Sequence, residues 1–379
     1  GPLLVGAGAG SGKTRVLTRR VAHLIRDHDV SPFAILAITF TNKAAGEMKE
    51  RVEELVGGVA RDMWVSTFHS ACSRILRREA HHLGYRSAFS IYDSADSLRL
   101  VTVSVKDLDL DPKRFPPRSI RATISNAKNE LIDYETFAAS DSGFYHEKIA
   151  DVYRLYQQRL VEASAMDFDD LLMLTVELFR AYPEVLQRYQ DRFEYVLVDE
   201  YQDTNHAQYV LVRLLTEKHR NLCVVGDGDQ SIYRFRGADI RNINEFEKDF
   251  PDAQIVMLEQ NYRSTETILQ AANAVISNNP NRKPKRLWTE FGHGEKITTY
   301  EAEDEHDEAA FVAEAVGELR AAGQDARDIA VFYRTNAQSR VLEETLVNFG
   351  QPYQVVGGLK YYDRREVKDV LAYLRTVTN

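Results

Sequence analysis

The stretch from Gly6 to Arg15, GAGAGSGKTR, holds the residues of this chain best suited to chemistry. Gly8, Gly10 and Gly12 carry no Cβ, so the backbone there can take positive φ and come close to an anion. Between them Ala7, Ala9 and Ser11 complete a loop whose N–H groups, with the following helix N-terminus, suit a chain of phosphates. Lys13 is expected to reach the β- and γ-phosphates, Thr14 to hold Mg²⁺ through its hydroxyl, and Arg15 to open the helix beside them. The usual first glycine of such a loop is Ala7 here, which is compatible if its φ is negative.

Further groups lie at the ends of apolar runs. Asp199 and Glu200 follow the run YVLV at 195–198, and ligands bind at the C-terminal ends of strands in parallel α/β sheets. Asp199 is expected to share Mg²⁺ with Thr14, and Glu200 to be the general base that orients and deprotonates a water. The segment VGDGDQSIYRFRGA at 225–238 places Gln230 where it can contact a γ-phosphate and register its loss. In the same segment Tyr233 and Phe235 stand beside Arg234 and Arg236, a mixture that suits base stacking with phosphate contact on a single strand. In LEQNYRST at 258–265, Arg263 can act as an arginine finger supplied in cis, and Tyr262 can stack on an adenine.

These groups need strands and helices in alternation to hold them. Runs at 3–5, 34–40 (AILAITF) and 63–68 (MWVSTF) read as strands, the second apolar enough to be buried on both faces. Helices are expected at 15–26, 44–56 and 70–80, with Thr41 and Asn42 suited to cap the second. From 86 to 189 strand-like runs nearly vanish and apolar residues recur at helical spacing, as in Ile149, Val152, Tyr153, Tyr156 and Leu160. Strand signals resume at 195–198 and 222–225. The first domain is therefore expected to be discontinuous, 1–85 plus 190–255, around a helical insertion at 86–189. A second α/β unit is expected over 256–379, with strands at 255–258, 296–300, 329–333 and 353–356 and helices after Ser264 and at 305–321, 339–349 and 365–376.

Composition bounds the class. Over 379 residues, 44% are apolar and 28% charged, as in ordinary globular proteins. No run approaches the ~18 apolar residues of a membrane span, and no signal peptide opens the chain. The chain starts without Met and almost inside a strand, which reads as a trimmed N-terminus. Cys72 and Cys223 make neither a disulfide framework nor a zinc pattern, which points to reduced thiols in a cytoplasmic protein. The net charge of −9 disfavours an evenly spread nucleic-acid surface. Local basic clusters exist at Arg74-Arg77-Arg78, Lys113-Arg114-Arg118-Arg121, Arg282-Lys283-Lys285-Arg286 and Arg364-Arg365-Lys368, each of which alone reads first as a solvated face.

The motifs AGAGSGKT, ITFTNKAAGEMKERV, STFHS, DFDDLL, LVDEYQDTN, VVGDGDQSIYRFRGA, LEQNYRST, FYRTNAQSR and GGLKYYDRREVKDVLAYLR follow one another along the chain. In that order they resemble superfamily 1 DNA helicases of the UvrD/PcrA/Rep group, over essentially the whole length. Ala7 is normal for that group. The resemblance implies an α/β P-loop NTPase: a RecA-like parallel-sheet domain 1A, its helical insertion 1B, and the first part of a second RecA-like domain 2A. It implies hydrolysis of ATP with Mg²⁺ in a cleft between 1A and 2A, with Arg263 and Gln230 on the γ-phosphate. That hydrolysis would drive 3′-to-5′ movement on single-stranded DNA and at single-strand/duplex junctions, in repair or replication and with proteins of those pathways, on the cytoplasmic nucleoid. Phe40, Thr41, Asn42, Lys43, His69, Tyr233, Phe235, Arg334 and Asn336 occupy positions that contact DNA in the group.

The chain departs from the group in three ways. The upstream glutamine segment that reads adenine is missing, Phe235 stands where Trp is usual, and the chain ends before the 2B insertion and the later 2A motifs. Unwinding by these residues alone is therefore expected to be weak or absent. An ATP-gated module that grips or remodels DNA with little unwinding, and the helicase arm of a helicase–nuclease, remain open beside the motor.

Overall fold

A computed structural model describes residues 1–379 except 142, 235, 236, 281, 283, 357–369, 371, 372 and 374–379. The chain forms two units, Gly1–Glu295 and Lys296–Asn379.

The strands of the first unit are β1 (Leu3–Ala7), β2 (Ile35–Thr39), β3 (Trp64–Thr67), β4 (Ser90–Tyr92), β5 (Ala165–Asp167), β6 (Tyr195–Val198), β7 (Leu222–Gly226) and β8 (Gln254–Leu258). Six of them make one parallel sheet in the order β3-β2-β6-β7-β1-β8, and β4 pairs with β5 separately. Every residue of β2 and of β7 is buried, which is why both read as unbroken apolar runs. Alternation along β2 sends Leu36 and Ile38 to one core, with Trp64 and Val198, and Ile35 and Ala37 to the opposite core, with Leu17 and Val225.

Helices α1 (Lys13–Asp27), α2 (Asn42–Val56) and α3 (Phe68–Glu79) follow β1, β2 and β3. The Thr41 hydroxyl accepts the Ala44 N–H at 3.1 Å, so the expected cap of α2 is present. Next come α4 (Ser94–Asp107), α5 (Pro117–Asn129), α6 (Tyr134–Ser140), α7 (Phe144–Glu162), α8 (Phe168–Ala181) and α9 (Pro183–Arg192). A third core, including Val101, Ile120, Val152 and Tyr156, joins α4, α5 and α7. β4 and β5 were not expected; at three residues each they are too short to display a period. The unit continues with α10 (His206–Thr216), α11 (Arg241–Asn244), α12 (Phe246–Asp249) and α13 (Glu266–Ile276). Cys72 and Cys223 are free and buried, and burial raises their thiols to about 12 and about 11, so both are unreactive at neutral pH.

The strand expected to open a second α/β unit instead forms the edge of the first sheet, where β8 runs parallel to β1 with Leu3 opposite Gln254 and Ala7 opposite Leu258. Its apolar residues find a ladder partner there, which the sequence period alone does not specify.

Inside the helical region, Lys128 is fully buried and its ammonium donates to Asp167 and to Asp170, each at 2.8 Å. Asp167 caps α8 in a reciprocal capping box with Asp170, and the Tyr156 hydroxyl donates to Asp167 at 2.7 Å. Burial and the neighbouring Asp167 charge push Asp170 up to about 7. Removing one member of such a buried set leaves the others uncompensated. Lys128→Ala should therefore destabilise the protein by about 3–5 kcal/mol in urea unfolding, and a loss under about 1 kcal/mol would contradict this pairing.

In the second unit, α14 (Glu305–Ala321) packs on α15 (Asn336–Asn348), burying Ala309, Ala313 and Leu346, and the Tyr300 ring stacks on Phe311 at 4.2 Å. The strands expected at 296–300, 329–333 and 353–356 do not form among the described residues. Strands persist through ladder neighbours, and no described residue supplies one there. The helix expected at 365–376 and the basic cluster at 364–368 lie almost wholly outside the described residues. No helix among the described residues is long and apolar enough to cross a membrane.

Candidate nucleotide and DNA site

β1 ends at Ala7 and α1 begins at Lys13, so residues 8–12 form a tight loop at the C-terminal end of the sheet. Gly10 and Gly12 take φ of 68° and 93°, the left-handed region expected for them. Gly8 does not share it. A Cβ there would lie 2.2 Å from Leu287 Cδ2, so a larger residue would have to displace the end of that side chain. Ala7 is buried strand backbone, where a Cβ is accommodated. The Ser11 hydroxyl donates to the Gly8 carbonyl at 2.8 Å and braces the turn.

Two carboxylates stand opposite this loop. Glu200 takes a left-handed φ of 49°, uncommon for a residue with a side chain, directly after β6. Lys13 Nζ donates to Glu200 Oε2 at 2.9 Å, and Gln202 Nε2 donates to the same oxygen at 2.8 Å. Asp199 is buried and accepts the Glu200 N–H at 2.9 Å. Burial, and then the Glu200 charge, raise its carboxyl to about 6 against the opposing pull of Lys13. A buried carboxylate whose pKa burial raises in spite of the Glu200 N–H and Lys13 fits a hard cation that prefers oxygen ligands. No cluster of three or more His, Cys, Asp or Glu suited to a metal occurs among the described residues.

The segment after β8 is fastened to the same loop. Asn261 Nδ2 donates to the Ala9 carbonyl at 2.6 Å, and the Tyr262 N–H donates to the Gly10 carbonyl at 2.9 Å. Both links use loop carbonyl oxygens, which a phosphate does not need. Asn261 Oδ1 accepts the N–H groups of Arg263 at 2.8 Å and Ser264 at 2.7 Å, fixing the turn that presents Arg263. A Cβ added to Gly10 would lie 2.8 Å from Arg263 Cβ, so the two backbones are in close contact. The Arg263 and Tyr262 side chains are exposed, and the Tyr262 hydroxyl donates to Gln260 at 2.9 Å.

Gln230 Nε2 donates to Asp227 Oδ2 at 2.5 Å. Asp227 also pairs with Lys285, and Asp229 accepts Arg282 at 3.0 and 2.8 Å. Gln202, Asp227, Asn261 and Lys285 were not singled out for this site in the sequence. The one available signal was the basic run at 282–286, and its acidic partners lie far upstream.

In the same unit, the rings of Phe40 and Tyr233 stack with centroids 5.3 Å apart. His69 meets Phe168 edge-on at 5.9 Å, and burial lowers the His69 pKa, which favours the neutral ring. Phe168, 47% exposed, is a further aromatic that the sequence reading passed over within DFDDLL. A cavity of about 510 Å³ opens beside these rings, lined also by Arg121, Asn126 and Asn129. Asn42 and Lys43 are exposed in the first turn of α2 next to Thr41. Phe235, and Arg236 with it, lies outside the described residues. Arg334 and Asn336 belong to the second unit, exposed at the start of α15, where the Arg334 N–H donates to Gln338 Oε1 at 3.0 Å.

Known proteins share the sequence. Residues 1–251 match the UvrD/REP helicase N-terminal domain, and residues 256–379 match the UvrD-like helicase C-terminal domain. The chain is 58% identical over 380 residues to the ATP-dependent DNA helicase PcrA of Bacillus subtilis (strain 168), a match covering 100% of this chain and 51% of that protein. It is 55% identical over 379 residues to proteins of the same name from Staphylococcus aureus (strain Mu50) and Staphylococcus epidermidis, covering 100% of this chain and 52% of each. It therefore spans about half the length of these relatives. With a phosphate loop, an acidic pair and an arginine turn gathered at one sheet end, and with both halves of the sequence matched, the chain belongs to the UvrD/Rep helicase family.

Proposed function

We propose that these residues form the ATP-hydrolysing part of a DNA helicase that moves 3′ to 5′ on single-stranded DNA in repair or replication. The observation that supports this best is the fastening of Asn261 and Tyr262 to the loop whose Lys13 holds Glu200. In this reading 1–85 plus 190–255, with β8 completing its sheet, is domain 1A, 86–189 is 1B, and 2A begins after β8.

Lys13 exchanges Glu200 for the β- and γ-phosphates when a nucleotide enters. Glu200, released from that ion pair, orients the attacking water and takes its proton. Gln230 leaves Asp227 for the γ-phosphate, and the exposed Arg263 turns in from Gly10 to meet the charge that develops there. Thr14 and Asp199 would hold a Mg²⁺, which would supply neutralisation of the phosphate charge. Loss of the γ-phosphate removes the partner of Gln230 and Arg263 together, so hydrolysis can open what binding closed.

The Phe40–Tyr233 stack and the His69–Phe168 pair offer flat faces to bases, with Phe235, Thr41, Asn42, Lys43, Arg334 and Asn336 as further contacts. Stacking on such faces is worth about 1–3 kcal/mol per base. Tyr233→Ala should weaken oligo(dT) binding by that amount in fluorescence anisotropy, and an unchanged affinity would remove this face from the DNA path. The function itself is tested by ATP turnover of the intact protein with and without a single-stranded oligonucleotide. A sharp rise supports the motor, whereas turnover indifferent to saturating DNA overturns it.

A further inference from the structure

We propose that Gln202 is a positioning residue for hydrolysis. It holds the Glu200 carboxylate once Lys13 has left it, and it ties that carboxylate to the loop carrying Gln230. The inference rests on the reading of Glu200 as the hydrolytic carboxylate.

Gln202 lies in the short turn Tyr201–Asp203 and is 1% exposed. Its Oε1 accepts the Asp227 N–H at 2.9 Å, while its Nε2 donates to Glu200 Oε2 at 2.8 Å and to Asp203 Oδ2 at 3.2 Å. A backbone N–H on one side and two carboxylates on the other allow the amide a single orientation, since the flipped amide would oppose like groups on both sides. The space it occupies is kept by Gly226, where a Cβ would lie 2.7 Å from Gln202 Oε1 and 2.8 Å from Ile243 Cδ1.

Lys13 and Gln202 share one oxygen of Glu200. A lysine drawn to the phosphates cannot stay there, so Gln202 is the described donor that remains. Beyond its other end, the Asp227 carboxylate holds Gln230. In this structure Glu200, Gln202, Asp227 and Gln230 therefore form one series, whose last link opens when Gln230 moves to the γ-phosphate while the link from Gln202 to the Asp227 N–H remains. Because Gln202 is buried, a mispaired amide there is costly, and the series has few alternative arrangements.

The test is single-turnover ATP hydrolysis by the intact protein saturated with single-stranded DNA, alongside titration with a fluorescent ATP analogue. Gln202→Met keeps the length of the side chain without its hydrogen bonds. Gly226→Ala leaves Gln202 in place and crowds its amide, an independent route to the same displacement. Both should lower the hydrolysis rate roughly 10- to 100-fold, as a displacement of about 1 Å does in other sites. Both should leave ATP affinity within about threefold, and Gln202→Met combined with Glu200→Gln should be no slower than Glu200→Gln alone. A Gln202→Met rate within about twofold of the unaltered protein, a loss confined to ATP affinity, or additive losses in the double variant would overturn the proposal. If Glu200→Gln itself hydrolysed ATP normally, the role of Glu200 would fall and this proposal with it. An inactive Glu200→Gln beside an active Gln202→Met would remove this proposal alone.

Discussion

Glu200→Gln should bind ATP at least as tightly as the unaltered protein while hydrolysing it about 10²–10⁴-fold more slowly, the usual worth of a positioned general base. The amide keeps the shape of the carboxylate but cannot accept the water proton. It also cannot pair with the Lys13 ammonium, which Glu200 engages at 2.9 Å in this structure and which the phosphates must win away from it. Relief of that competition is why affinity holds or rises as turnover falls. Titration with a fluorescent ATP analogue and a phosphate-release assay separate the two effects. Turnover within about tenfold of normal would mean that another group orients the water. The same variant decides between a motor and a gate. A gate driven by ATP binding alone keeps its nucleotide-dependent grip on DNA, and a motor loses movement.

Arg263→Ala should lower DNA-stimulated turnover by about 10³–10⁵-fold, the range for an arginine finger. The Arg263 backbone is held against Gly10 by Asn261, so the guanidinium pivots from a fixed point beside the phosphate loop. Arg263→Lys should recover little, because a single ammonium lacks the planar fork that meets two phosphate oxygens. Oligonucleotide affinity without nucleotide should not change. Steady-state ATPase with saturating DNA checks both variants, and a loss below about tenfold would take Arg263 out of the reaction.

Much of the nucleotide site was legible because it is local in sequence. The strand at 195–198, the acidic pair that follows it and the positive φ of the loop glycines at 10 and 12 each follow from neighbouring residues, whereas the left-handed backbone of Glu200 was not read from the sequence. Contacts across the sheet were not legible. Gln202 meets Asp227 because β6 and β7 are adjacent, and Asn261 reaches Ala9 because β8 lies beside β1. Strand order is not written in hydrophobic period, which also explains why β8 was expected to open a second sheet. Gly8, read as able to take positive φ, does not take it; what a Cβ would meet there is the end of the Leu287 side chain, a residue remote in sequence. The expected strands at 296–300 and 329–333 show the converse, since an apolar run specifies a strand only where a neighbour completes its ladder.

The decisive measurement is an experimental structure of the intact protein with Mg²⁺ and a non-hydrolysable ATP analogue. Lys13 Nζ should have left Glu200 for the β- and γ-phosphate oxygens, with the Arg263 guanidinium on the γ-phosphate of the same nucleotide. A bound analogue with Lys13 still on Glu200, or with Arg263 directed away from the phosphates, would show that these residues do not serve one reaction.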